Sequence, residues 1–129
     1  MCRMGKKSSK QAIFENLALE LRRGALTLAV LSRLQEERYG YDLKQSLDAR
    51  GLEINEGTLY PLLRRLEKQG LLESDWKIEG GSRPRRYYRL NQTGATVLAN
   101  LTIEWQSLVG VMHHLLYAED EVKSWKQMN

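Results

Sequence analysis

Asn55-Glu56-Gly57-Thr58-Leu59-Tyr60-Pro61-Leu62-Leu63-Arg64-Arg65-Leu66-Glu67-Lys68 is the stretch on which the fold turns. Leu59, Leu62, Leu63 and Leu66 fall at i, i+3, i+4 and i+7, a spacing that gathers them on one stripe of an α-helix. At about 100° per residue, Gly57, Pro61, Arg64 and Lys68 take the opposite face, flanked by Thr58 and Arg65 on one side and Tyr60 on the other. Asn55 suits an N-cap, and Glu56 suits the first turn beside the positive end of the helix dipole. Counted from an Asn55 cap, Pro61 stands inside the helix and removes a backbone hydrogen bond. A start at Thr58 places it among the first four residues, which need no donor. The start therefore lies between 55 and 58, and Gly70 ends the helix.

Upstream, Ile13, Phe14, Leu17 and Leu21 form the apolar stripe of a helix over about Ser9 to Arg23. Gly24 weakens it, and a second periodic segment follows with Leu26, Ala29, Val30 and Leu34 on one face. Arg38-Tyr39-Gly40-Tyr41 reads as a turn. A short helix from Tyr41 to about Ala49 carries Leu43 and Leu47 and ends at Arg50-Gly51, where glycine suits the C-cap. Downstream, Leu72, Ser74, Trp76 and Ile78 alternate with Glu73, Asp75 and Lys77, which predicts a half-buried strand. Glu79-Gly80-Gly81-Ser82-Arg83-Pro84 is a turn, and Arg86-Tyr87-Tyr88-Arg89-Leu90 returns as the second strand of a hairpin. From Asn91 or Thr93 the chain is helical to about Tyr117. Leu98, Leu101, Trp105, Leu108, Met112 and Leu115 recur at heptad spacing. Residues 118–129 are polar and read as a flexible tail.

Composition bounds the function. At 129 residues the chain suits one domain with one appended element, and 42% hydrophobic with 28% charged residues is globular in character. No apolar run approaches the roughly 20 residues that span a bilayer. No apolar core follows the basic start Arg3 to Lys7, so the expected compartment is the cytoplasm. Met4 could serve as a start as well as Met1. One cysteine, Cys2, excludes an intrachain disulfide and a cysteine-rich zinc site. His113 and His114 are adjacent and point about 100° apart on a helix, so they do not form a metal-binding pair. Neither a nucleophile–base–acid set nor a phosphate-cradling glycine loop is present, so neither an enzyme nor a cofactor is expected.

The formal charge of +4 is unevenly spread. Residues 1–39 hold eight Lys/Arg against four acids, residues 40–90 hold ten against eight, and residues 91–129 hold two against four. A basic body with a mildly acidic C-terminal third fits a polyanionic partner for the former and a separate task for the latter.

The order of elements predicts a mainly α (α+β) fold. It is a winged helix-turn-helix over 24–90, with an N-terminal arm and helix over 1–23 and a long C-terminal dimerisation helix over 91–117. The reading helix of such a fold enters the major groove of double-stranded DNA. It needs an apolar stripe for docking, small residues at its leading end and donors along its outer face. Gly57 and Thr58 are small, Tyr60 and Arg64 supply reach, and Lys68 is placed for phosphate. Lys44 on the preceding helix completes the candidate set. Arg83, Arg85, Arg86 and Arg89 crowd the hairpin, where a narrow basic ribbon can follow the backbone or enter the minor groove. Each feature alone has an ordinary alternative: a basic outer face is often just solvated, and a basic hairpin often just protects an edge strand.

Tyr39-Gly40-Tyr41-Asp42-Leu43, the Glu56-Gly57-Thr58-Leu59-Tyr60-Pro61 core, Gly70-Leu71-Leu72 and Gly81-Ser82-Arg83-Pro84-Arg85-Arg86-Tyr87-Tyr88-Arg89-Leu90 together resemble the PadR family of bacterial regulators. The likeness spans roughly residues 22–117. It implies a homodimer joined through the C-terminal helix, repressing transcription at a palindromic operator, and the single C-terminal helix resembles the smaller of the family's two types. It maps Tyr41, Asn55, Gly57, Thr58, Tyr60 and Arg64 onto DNA-contacting positions, and Arg83, Arg85 and Arg86 onto the wing. Where the family usually opens its last helix with Leu-Thr, this chain has Leu90-Asn91, and Asn caps comparably.

For the dimer interface the expected residues are Phe14, Leu17, Leu21, Leu98, Leu101, Trp105, Leu108, Met112 and Leu115. Multidrug-sensing members carry a tryptophan at the dimer centre against which flat aromatic ligands stack. Trp105 has the matching place on the seam, and Phe14 and Leu17 are candidates to wall the same cavity as a site for a small aromatic effector. The competing role for Trp105 is simple packing of the dimer. The competing function for the whole chain is a protein-interaction module on a winged-helix scaffold.

Overall fold

A computed structural model describes the backbone of residues 8–81 and 83–128 and the side chains as far as Tyr117. Cys2, the two candidate starts and Ser82 of the turn lie outside the described residues. Helix α1 spans Ser9–Arg33, strand β1 Arg38–Tyr39, helix α2 Gly40–Asp48, helix α3 Glu56–Lys68, strand β2 Leu72–Lys77, strand β3 Arg85–Leu90 and helix α4 Gln92–Met128. The strands form one antiparallel sheet in the order β1-β3-β2. Three helices packed on one another with a small sheet at their side make a winged helix-turn-helix, as the sequence implies.

The core is where the leucine stripes converge. Leu59, Leu62, Leu63 and Leu66 of α3 are all buried, in one core with Leu43 and Leu47 of α2, Val30 and Leu31 of α1 and its C-cap Leu34. Leu72 and Tyr88 bring in the sheet, and Leu98 brings in the start of α4. Burying one leucine side chain contributes about 2 kcal/mol, so this cluster is the main term holding α3 in place.

Local chemistry sets the ends of α3. Asn55 is the N-cap, its Oδ1 accepting the Thr58 N–H at 2.9 Å. The earlier of the two possible starts is therefore adopted, and Pro61 lies inside the helix. Its ring replaces the N–H that would donate to the Gly57 carbonyl, and both residues are exposed, so that carbonyl stays open to solvent. Gly70, at φ 86°, ends the helix in the left-handed conformation that glycine tolerates.

Four features depart from the sequence reading. There is no break at Gly24, and α1 continues through it. A glycine costs a helix about 1 kcal/mol relative to alanine, too little to interrupt a run bounded by good helix formers. Arg38-Tyr39 is a strand rather than a turn, pairing with Tyr88 and Tyr87 and making the wing three-stranded. β2 is covered only at its first half: Leu72 is buried, but Trp76 is 66% exposed and Ile78, beyond the strand end, is exposed too. The hairpin outruns α3 there, so its alternation has no body to face. Finally, α4 is interrupted at Tyr117, where the sequence reading ended it, but more helix follows in place of the expected tail. That residue has non-helical angles (φ −126°, ψ 22°), and helix resumes to Met128.

α4 is capped by Asn91, whose Oδ1 accepts the Gly94 N–H at 2.8 Å while its Nδ2 donates to the Gly70 carbonyl at 2.8 Å. One side chain thus joins the end of α3 to the start of α4. Among the described residues no helix is long and apolar enough to cross a membrane, and no group of three His, Cys, Asp or Glu could hold a metal.

Candidate nucleic-acid interface

α3 and the wing face each other across a cleft of about 560 Å³ lined by Tyr39, Gly40, Tyr41, Tyr60, Arg64, Trp76, Arg83, Arg85, Arg86 and Tyr88. The cleft is made by the fold's own logic. The leucine stripe buries the inner face of α3, which leaves Gly57, Thr58, Pro61, Arg64 and Lys68 exposed on the outer one. Antiparallel pairing then carries Arg83 and Arg85 out past the helical body.

Gly57 is not demanded by packing. A Cβ there would meet nothing closer than Asn55 Oδ1 at 3.3 Å, so its small size leaves the leading end of α3 open. Thr58 beside it is exposed, with its N–H held by the cap. The oxygen of Asn55 is committed to that cap, which leaves its amide hydrogens for an outside acceptor. Tyr60 is half-buried against Gly40, and the loss of water around its phenol raises its pKa above the usual tyrosine value, with the Glu56 carboxylate adding to the effect. It therefore stays a neutral hydroxyl, able to donate as well as accept. Tyr41, the second residue of α2, is exposed at the rim.

The cations divide into two kinds. Among the described residues Arg64, Lys68, Arg83 and Arg85 have no ion pair. Arg85 stacks on the Tyr39 ring, its guanidinium carbon 4.5 Å from the centroid, which fixes its direction without neutralising it. Lys44 and Arg86 are instead paired within the chain. Lys44 donates to Asp48 at 2.7 Å and lines a second pocket with Asn55 and Glu56. Arg86 donates to Glu67 at 2.9 Å and to Ser74 at 3.0 Å. Arg89 is paired as well, with Glu37, Glu73 and Asp75, and Lys77 joins the same Glu37. The Arg89 and Lys77 pairs tie β2 and β3 together and to Glu37, the residue before β1.

Tyr39 and Trp76 line the cleft although the sequence reading gave neither a site role. Tyr39 was hidden by its assignment to a turn. Trp76 sits on the strand face that alternation marks as inward, and only the distance by which the hairpin overhangs α3 puts it outside.

The residues expected at a dimer interface fall into two groups. Leu98 is 8% exposed and Leu101 packs on the same core, so both serve their own chain. Phe14, Leu17 and Leu21 of α1 and Trp105, Leu108, Met112 and Leu115 of α4 are exposed within one chain. Ile103, Val109, Val111 and Leu116 are exposed as well, so the apolar surface of α4 extends beyond a single seam. These exposed apolar residues recur along both helices.

The family model for the transcriptional regulator PadR-like family matches residues 27–100. A PadR family transcriptional regulator from Eggerthella lenta is 47% identical in its crystal structure, covering 84% of this chain and 96% of that one with a TM-score of 0.77. A PadR-like transcriptional regulator from Bacillus cereus is 30% identical, covering 75% of this chain and 96% of that one with a TM-score of 0.68. The transcriptional regulator Rv3488 of Mycobacterium tuberculosis is 40% identical over 80 residues, 61% of this chain and 74% of its own length.

Proposed function

The chain belongs to the PadR-like family of transcriptional regulators, and from that premise we propose that it is a homodimeric repressor that reads a palindromic operator with α3 and grips the flanking backbone with the wing. One observation carries the proposal: Tyr60 and Arg64 of α3 and Arg83 and Arg85 of the wing, arginines without an ion pair among the described residues, open onto one cleft. An α-helix with a small leading end and long donors behind it suits the major groove, and arginines on an overhanging ribbon suit phosphates or the minor groove. Phosphate contacts from those three arginines would make affinity fall steeply with salt.

Dimerisation follows from the uncovered apolar surfaces of α1 and α4. Two copies joined there would carry two reading helices, and half-sites about 34–36 Å apart, one helical turn of DNA, would match them. Trp105, exposed among those apolar residues beside the mildly acidic end of the chain, is the candidate contact for a flat aromatic effector, with Phe14 and Leu17 as its walls. An effector bound there would change the spacing of the two reading helices and release the operator.

Gel shift with a duplex from the region upstream of the protein's own gene tests the proposal. A shifted band that competes with unlabelled specific duplex but not with a mixed-sequence duplex supports it. A shift equally abolished by both competitors contradicts operator reading and favours the protein-interaction alternative.

A further inference from the structure

Arg86 has the sequence position of a DNA contact, yet its guanidinium is held within the chain. Nε donates to Ser74 Oγ at 3.0 Å, and a terminal nitrogen donates to Glu67 Oε1 at 2.9 Å. Ser74 Oγ donates in turn to Glu67 Oε2 at 2.7 Å, so the carboxylate receives one bond on each oxygen and the circuit closes. Its three members come from three elements: Glu67 from the last turns of α3, Ser74 from β2 and Arg86 from β3. The guanidinium also lies 5.5 Å from the Tyr88 ring centroid and 5.9 Å from that of Trp76. Glu67 and Arg86 are both half-shielded from water, where charge-assisted hydrogen bonds are roughly twice as strong as neutral ones.

We propose that Glu67 and Arg86 are positioning residues, a clamp closed through Ser74 that sets the angle between the reading helix and the wing. Beyond this point the hairpin has no core beneath it, since Leu72 and Tyr88 are its last buried residues and Trp76 is already exposed. The clamp is the link that keeps Arg83 and Arg85 at a fixed distance from Arg64 across the cleft. It rests on the DNA-binding reading of α3 and the wing.

The sign of one substitution separates this role from simple electrostatics. Glu67 is an acid near the surface that faces a polyanion, so by charge alone Glu67→Gln strengthens DNA binding. The clamp requires the opposite, because the neutral amide loosens Arg86 and the wing with it.

Fluorescence anisotropy with two labelled duplexes of equal length, one from upstream of the protein's own gene and one of mixed sequence, measured across a salt series, provides the test. The clamp predicts that Glu67→Gln and Arg86→Gln each weaken binding to the upstream duplex roughly tenfold, and that the double variant is no weaker than either single one. The salt slope of Arg86→Gln stays that of wild type, whereas Arg85→Gln, which removes an unpaired cation, lowers it by about one. Ser74→Ala weakens binding in the same direction by a smaller factor. It carries the test if circular dichroism shows either charged-partner variant to be unfolded. Binding by Glu67→Gln as tight as wild type or tighter, or a salt slope lowered by about one in Arg86→Gln, overturns the clamp alone. Wild-type protein that binds neither duplex overturns the DNA reading, and the clamp falls with it.

Discussion

Gly40 and Tyr60 meet so closely that a Cβ added at residue 40 would lie 2.2 Å from Tyr60 Cε1. The first residue of α2 is thus the floor against which α3 rests the Tyr60 ring. Tyr39 and Tyr41, on either side of Gly40, line the same cleft. The Tyr-Gly-Tyr sequence therefore combines two aromatic walls with the one residue type that lets a third ring lie between them.

Gly40→Ala should displace the Tyr60 ring, because a methyl group cannot share its space. Overpacking of this kind costs about 1–3 kcal/mol, at the lower end here because the obstruction is a side chain that can swing outward. DNA affinity should fall by more than the stability change implies, since the cleft itself is altered. Urea unfolding and anisotropy on one preparation check this. Wild-type affinity in a variant of lowered stability would separate Tyr60 from DNA recognition.

Gly94→Ala should be more damaging to stability. Its Cβ would lie 2.1 Å from the Leu71 carbonyl oxygen, and backbone at the entrance to β2 cannot rotate away. A loss of about 3 kcal/mol is expected, seen as a lower urea midpoint at unchanged slope. An unchanged midpoint would mean that α4 does not start against this turn.

Leu108→Glu and Leu98→Glu should fail differently. Leu108 is 47% exposed within one chain, so a charge there leaves the fold intact but produces monomers that lose operator binding. Leu98 belongs to the core, and an unpaired buried charge there unfolds the protein. Light scattering with size exclusion distinguishes the two. A Leu108→Glu protein with wild-type mass would place the dimer contact elsewhere.

Acid should loosen the junction of α2 and α3. Asp48 accepts from Lys44 Nζ at 2.7 Å and from the Ile54 N–H at 3.3 Å, and the bond from Lys44 first, opposed in part by desolvation, lowers its pKa below the usual aspartate value. A carboxylate with a depressed folded pKa contributes its full stability above its unfolded pKa, about 3.9. That contribution is lost as pH falls through the lower folded value. The melting temperature should therefore drop below about pH 4, and Asp48→Asn should shrink the part of the drop that this carboxylate causes. Glu37, lowered chiefly by its hydrogen bond from Lys77, acts in the same direction on the wing. An Asp48→Asn profile that overlays wild type would show the Lys44–Asp48 pair to be screened out in solution.

The leucine stripe of α3 was legible because four side chains at helical spacing can only be buried together, and all four are. The start of α3 was left open by Pro61. Asn55 decides it, since its cap hydrogen bond is available only from the earlier start. Tyr39 was misread because a two-residue strand has no periodicity of its own and exists only through its pairing with Tyr87 and Tyr88. Trp76 was misread for a related reason: alternation tells which residues share a face, but not how far along a strand the covering helix reaches. Arg86 looked like its neighbours Arg83 and Arg85 in sequence. Only the approach of Glu67, nineteen positions earlier, separates a held guanidinium from those that have no ion pair among the described residues.

The central claim is that the outer face of α3 reads DNA, and the binding of Tyr60→Ala and Arg64→Ala to the upstream duplex tests it most directly. Arg64 is exposed and Tyr60 only partly buried at the edge of the core, so each variant should keep the wild-type circular dichroism spectrum. The account predicts that both lose specific binding. Wild-type affinity in either folded variant would contradict the assignment of α3 as the reading helix.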